Sequence, residues 1–170
     1  MTREYLAASH EDASDYHHYL EERYQGEVYG EALFQTMAET CPDPERAAQL
    51  RVLGQLERET KEFLLRAMSE DGLSADASPE RIAEGRTLGA QLAAAPWADL
   101  MRGFHQEIQR FVEDFERAEA LAPPGREAVL QHVTAHERAL LDFATRELDG
   151  RPAEESLAPV RALLCDEPRP

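Results

Sequence analysis

Apolar residues along this chain recur with the spacing of helices. In four long stretches they return every three or four positions, as they do when one helix face packs on a core. β-branched residues are few and never alternate with polar ones over a useful length, so strand signals are weak. The pattern predicts four long helices, A to D, over residues 12–40, 43–69, 97–121 and 126–149, and two short helices over residues 78–94 and 154–164.

Proline and glycine set the boundaries of the predicted helices. Helix A ends at residues 41–44, because the residue before a proline avoids the helical region. Asp43 is the expected N-cap of helix B, with Pro44 at its first position. Helices C and D are separated by residues 123–125, two prolines and a glycine, and Gly150 ends helix D.

The lengths of the connections indicate how these helices pair. A few residues join A to B and C to D, so each pair is expected to form an antiparallel hairpin. The B–C connection of about 27 residues is long enough to return along the full length of a bundle. The sequence therefore predicts one all-α domain over residues 1–170, an antiparallel four-helix bundle with a long B–C crossover and a short C-terminal helix, as in ferritin-like proteins.

Charge and cysteine content narrow the function classes. With 34 acidic against 18 basic residues, the net charge is −16, which repels nucleic-acid phosphates and anionic membrane surfaces alike. Apolar runs are too short for a membrane span and the N-terminus lacks the pattern of a signal peptide, so we expect a cytoplasmic protein. Cys41 and Cys165 show no CxxC spacing, so neither a disulfide framework nor a zinc or rubredoxin-type site is expected.

Each long helix carries a carboxylate at or near its apolar stripe. Several carboxylates facing one core repel each other and lose hydration, which costs several kcal/mol. A bound metal, arginine partners or shared protons would relieve that cost, and so would lower burial than the stripe suggests. The candidates are Glu27 and Glu31 on helix A, Glu57 on helix B, Glu107 on helix C, and His132, His136 and Glu137 on helix D.

Three short segments, on predicted helices A, B and D, resemble rubrerythrin-type members of the ferritin-like superfamily. Residues 26–38, GEVYGEALFQTMA, are similar to the first helix of that family. Residues 57–60, ERET, resemble its Glu-x-x-His motif with a threonine in place of the histidine. Residues 133–137, VTAHE, resemble the second such motif with a valine in place of the glutamate. The cysteine domain of full-length rubrerythrins has no counterpart here.

The resemblance implies an iron or manganese site with fewer carboxylate and histidine ligands than the family has. It also implies an oxidoreductase that reacts with oxygen or peroxide and forms a homodimer. Because one histidine and one bridging carboxylate are missing, it implies a mononuclear or altered site rather than a dinuclear one. The implied ligands are Glu27, Glu57, Glu107 and His136, with Glu31, His132 and Glu137 as substitutes. The alternative is a non-catalytic helical interaction module with a decayed site, which would bind a protein partner or a second copy.

Overall fold

In the computed structural model, the backbone is described for residues 3–165 and the side chains for residues 15–164. Over that range the chain is all-helical, which confirms the predicted class. The predicted helices A to D correspond to α1, α2, α4 and α5, but α1 begins well before residue 12. The helices are α1 (Arg3–Thr40), α2 (Pro44–Glu70), α3 (Pro79–Leu92), α4 (Trp97–Glu119), α5 (Glu127–Leu148) and α6 (Ala153–Cys165).

The helix boundaries follow the local signals in the sequence. The Asp43 carboxylate accepts hydrogen bonds from the backbone N–H groups of Glu45 and Arg46, at 2.9 and 3.3 Å, and so caps α2. The Ser78 hydroxyl caps α3 in the same way. Gly150 follows α5 with φ of 71°, a left-handed conformation that favours glycine.

Close packing joins the helices into two groups that share α2. α1 packs against α2 and α3, while α5 packs against α4 and α6, and α2 contacts both α5 and α6. Within residues 3–165, α1 and α4 are not among the closely packed pairs. No helix in this range is both long and apolar enough to cross a membrane. Cys41 forms no disulfide with any described residue, and the side chain of Cys165 lies outside the described residues.

Two glycines let α3 lie directly on the backbone of α1. A Cβ at Gly85 would overlap the carbonyl oxygen of Tyr29, and one at Gly89 would lie 2.7 Å from the carbonyl oxygen of Leu33. Side chains larger than hydrogen are therefore excluded from this contact. The segment predicted as part of a crossover is thus held firmly against one side of α1.

The apolar core consists of two clusters separated by a polar level. The first contains Phe34 on α1, Leu53 on α2 and Phe143 on α5, among others. The second includes Leu20, Leu64 and Val133 on the same three helices. Where one cluster gives way to the other, each helix contributes buried polar side chains instead, which are Glu27, Glu57, Thr60 and His136.

Candidate metal centre

Glu27, Glu57 and His136 converge at this polar level from three different helices. Each offers one ligand atom, and the three atoms lie within 4.8 Å of one another. The His136 Nε2 atom is 3.4 Å from Glu57 Oε1 and 3.7 Å from Glu27 Oε2. All three residues are buried, with at most 5% of any of them exposed. Two carboxylates and one imidazole nitrogen therefore face a common point inside the protein.

The hydroxyl of Thr60 fixes the orientation of the imidazole. Its Oγ1 lies 2.8 Å from Nδ1 of His136, in a buried hydrogen bond. Thr60 follows Glu57 by three positions and so lies on the same face of α2. Because Nδ1 is occupied by this bond, Nε2 is the nitrogen that remains to face the carboxylates.

A glycine on α1 makes room for the carboxylate of Glu57. A Cβ at Gly30 would collide with Glu57 Oε2 and its carboxyl carbon. The side chain of Glu57 can therefore reach α1 only because position 30 has no side chain.

Strong electrostatic coupling holds the cluster together when no ion is bound. Burial raises the pKa of Glu27 well above its ordinary value; Glu57 adds to this shift and His136 opposes it. Burial alone would lower the pKa of His136, but the carboxylates of Glu27 and Glu57 outweigh it and raise the value to about 10. An imidazolium and a retained carboxyl proton thus neutralise most of the buried charge.

Glu137 lies beside this cluster but outside the three-residue group. It is 7% exposed, and its Oε2 atom has no hydrogen-bond partner among the described residues. Burial raises its pKa to about 7, with the imidazole of His136 opposing the shift and the carboxylate of Glu57 adding to it. The guanidinium of Arg23, which lies 4.5 Å from the Phe115 ring centroid, also opposes it.

Glu107 is an exposed residue of α4 that lines the cavity described below, away from the three converging ligand atoms. Its neighbour Ile108 is 5% exposed and occupies the inward position instead. Among the described residues, Glu107 does not join the cluster of ligand atoms. The prediction placed it at the edge of the apolar stripe, where a rotation of one residue moves a side chain out of the core.

The two weaker candidates on α1 and α5 also have other partners. Glu31 forms a part-buried ion pair with Lys61. His132 stacks on Phe63 with ring centroids 4.0 Å apart, and burial lowers its pKa to about 4. Of the predicted ligands, the structure therefore brings together Glu27, Glu57 and His136 only, within the described part of the chain.

A cavity of about 750 Å³ between α1, α3 and α4 opens onto the carboxylates. Glu27, Glu57 and Glu137 all line it, whereas His136 does not. Its walls are mostly apolar and include Leu33, Met37, Leu100, Phe104 and Phe111. The carboxylate side of the cluster is thus the side that a small molecule entering this cavity would meet. No pattern in the sequence indicates this cavity, because it depends on how far α1 lies from α4.

Comparison with protein-family models, with curated proteins and with solved structures finds no match to this chain.

Proposed function

We propose that this chain is a ferritin-like four-helix bundle protein that binds one iron or manganese ion through Glu27, Glu57 and His136. The observation that carries the proposal is the convergence of their ligand atoms within 4.8 Å in a buried interior. Carboxylate oxygens suit manganese and imidazole nitrogen suits iron, so this mixed donor set fits either metal.

Two features of the site support its fit to a cation. Glu27 Oε2 is buried without a hydrogen-bond partner among the described residues, which a cation would remedy. The Thr60 bond to Nδ1 of His136 is the outer contact that metal-binding imidazoles usually have, and it leaves Nε2 as the donor. Binding would release protons from His136 and Glu27, because ligands must be deprotonated.

The proposed ion is single because two positions of the family motifs carry no suitable donor. Thr60 occupies the position of one of the motif's histidines, and its hydroxyl is hydrogen-bonded to His136. Val133 occupies the position of the glutamate in the second motif, and it is fully buried within the second apolar cluster. Three protein donors leave coordination positions open for an oxidant.

The proposed reaction is a redox reaction with oxygen or peroxide, as the family resemblance implies. Iron or manganese would supply the one-electron chemistry when bound. The chain's own residues would bind and orient: Glu27 and Glu57 place negative charge in the wall of the cavity, beside mostly apolar side chains. The unpartnered Oε2 of Glu137 lies close enough to this charge to hold a proton at the edge of the site.

Metal content of the purified protein tests the proposal directly. Protein produced with iron and manganese in the medium should carry about one ion per chain by elemental analysis. Glu57→Ala and His136→Ala should each lose it. Glu107→Ala is the matched control, because Glu107 is an exposed glutamate that lines the same cavity, and it should keep the ion. Wild-type protein without stoichiometric metal, or equal loss in the control, would contradict the proposal.

A second candidate function, a non-catalytic helical interaction module, is favoured by one specific observation. In the metal-free chain the imidazolium of His136 already balances the carboxylates of Glu27 and Glu57, as its raised pKa of about 10 indicates. A decayed site would be stable in that state. In that case a chelator would leave the melting temperature unchanged, and Glu57→Ala would destabilise the chain equally with and without added metal, because it removes a partner of the buried imidazolium.

A further inference from the structure

Two helix glycines border the cavity without any packing reason. Gly26 on α1 and Gly103 on α4 both line it, and a Cβ at either position would meet no atom of the described residues within 4 Å. Glycine in a helix interior is unfavourable relative to alanine. At Gly30, Gly85 and Gly89 a close contact explains the glycine, whereas Gly26 and Gly103 are exposed, and the missing side chains leave the cavity open to solvent there.

The cavity is elongated and its walls are apolar. It is lined on α1 from Glu22 to Met37 and on α4 from Asp99 to Phe115, which at 1.5 Å per residue is on the order of 20 Å. Its volume of about 750 Å³ lies within the range of small-molecule sites. A chain-like molecule would fill such a space better than a compact one.

Three buried polar atoms of cavity-lining residues lack a hydrogen-bond partner among the described residues: Arg23 Nε, Glu27 Oε2 and Glu137 Oε2. Glu137 is 7% exposed, it lines the cavity, and its Oε2 accepts no hydrogen bond from any described residue. A buried carboxylate oxygen requires a donor, which a ligand would provide. The cavity is lined by six acidic residues against two basic ones, Arg23 and Arg81, in a chain of net charge −16, so an anionic ligand is disfavoured.

We propose that the cavity binds an elongated alkyl molecule that ends in a hydrogen-bond donor, a hydroxyl or an amine, with that end at Glu137. The alkyl part lies against Leu33, Met37, Leu100 and Phe104. This binding does not rest on the proposed metal, because Glu137 is not among the three proposed ligands and the alkyl contacts need no ion.

A homologous series of probes tests the proposal by calorimetry on the full chain. The 1-alkanols from pentanol to nonanol should bind one per chain, about fourfold more tightly for each added methylene. Octylamine should bind at least as tightly as 1-octanol, and octanoate at least tenfold more weakly. In Glu137→Leu the difference between octylamine and octanoate should shrink to less than threefold. Absence of saturable binding, or octanoate binding as tightly as octylamine, would overturn the proposal.

Substitutions at the unexplained glycines locate the binding site. Gly103→Trp should weaken 1-octanol binding at least tenfold by filling the cavity, whereas Gly103→Ala, the matched control, should stay within twofold of wild type. Gly26→Trp repeats the test from the opposite wall if Gly103→Trp does not fold. Tryptophan variants that bind like wild type would overturn the proposal. So would a wild-type dimer that binds no alkanol and that Gly103→Trp converts to a monomer, since a second copy would then fill the cavity.

Discussion

The two sides of α1 use glycine in opposite ways. Towards α3, Gly85 and Gly89 remove side chains so that the two backbones come together. Towards α4, Gly26 and Gly103 remove side chains where nothing comes near. A glycine with close neighbours serves packing, whereas a glycine with none keeps space open. Close packing therefore accounts for the glycines between α1 and α3 but not for Gly26 and Gly103, which are exposed beside the cavity.

The largest effect is expected where the contact between α1 and α3 is tightest. In Gly85→Ala the added methyl would overlap the Tyr29 carbonyl oxygen, so α3 must shift away from α1. We expect a loss of about 2–3 kcal/mol in the free energy of unfolding, measured by denaturant titration. A variant as stable as wild type would show that this interface is looser than described.

Gly30→Ala tests the glycine that serves the candidate metal site. Its Cβ would push away the carboxylate of Glu57, a flexible side chain, so we expect a larger effect on metal binding than on folding. Affinity for iron or manganese should fall about 10- to 100-fold, as measured by competition with a chromophoric chelator. Gly26→Ala, one turn earlier on α1, is the control and should bind as wild type does.

A smaller effect is expected at Glu137, in the metal-free protein. Its pKa of about 7 lies above the ordinary 4.5, so the folded state holds the proton more tightly than the unfolded state. Stability contributed by the protonated group is present below pH 4.5 and is lost as pH rises to about 7. Glu137→Gln should therefore gain about 1–2 kcal/mol over wild type at pH 8 and almost nothing at pH 4. Equal gains at the two pH values would contradict this account.

The smallest effects are expected at the open glycines. Gly26→Ala and Gly103→Ala add a methyl where no atom of the described part of the chain lies within 4 Å, so they should stabilise the helices without a clash. We expect about 0.5–1 kcal/mol each, measured by thermal or denaturant unfolding. Destabilisation by either change would show that the space is already filled by atoms of this chain or of a second copy.

Most of the fold follows from local signals in the sequence. The prolines at 42 and 44, the cap at Asp43 and the glycine at 150 act on neighbouring residues, so the ends they predict agree with the structure. The start of α1 was predicted too late, because Ser9 and Asp12, which are common N-cap residues, lie inside the helix rather than at its start. The position of α3 on α1 depends on contacts with distant residues, which helical spacing does not reveal.

The candidate site was predictable only where burial was unambiguous. Glu27 and Glu57 lie in the middle of their apolar stripes, and both are buried as expected. Glu107 was at an edge, where the rotation of the helix decides exposure, and that rotation is set by packing against α5. Thr60 was considered as a hydrogen-bond partner of Glu57, yet its bond goes to His136 on another helix. Such a pairing requires the relative positions of α2 and α5.

The hydrogen bond between Thr60 and His136 affects how the proposed metal ion would enter and leave the site. The threonine oxygen accepts from Nδ1–H whether the other ring nitrogen carries a proton or coordinates a cation. The imidazole would therefore keep one orientation with and without the proposed ion. We expect loading and release to be governed by diffusion through the cavity rather than by opening of the fold, so residence time should depend on what occupies that passage.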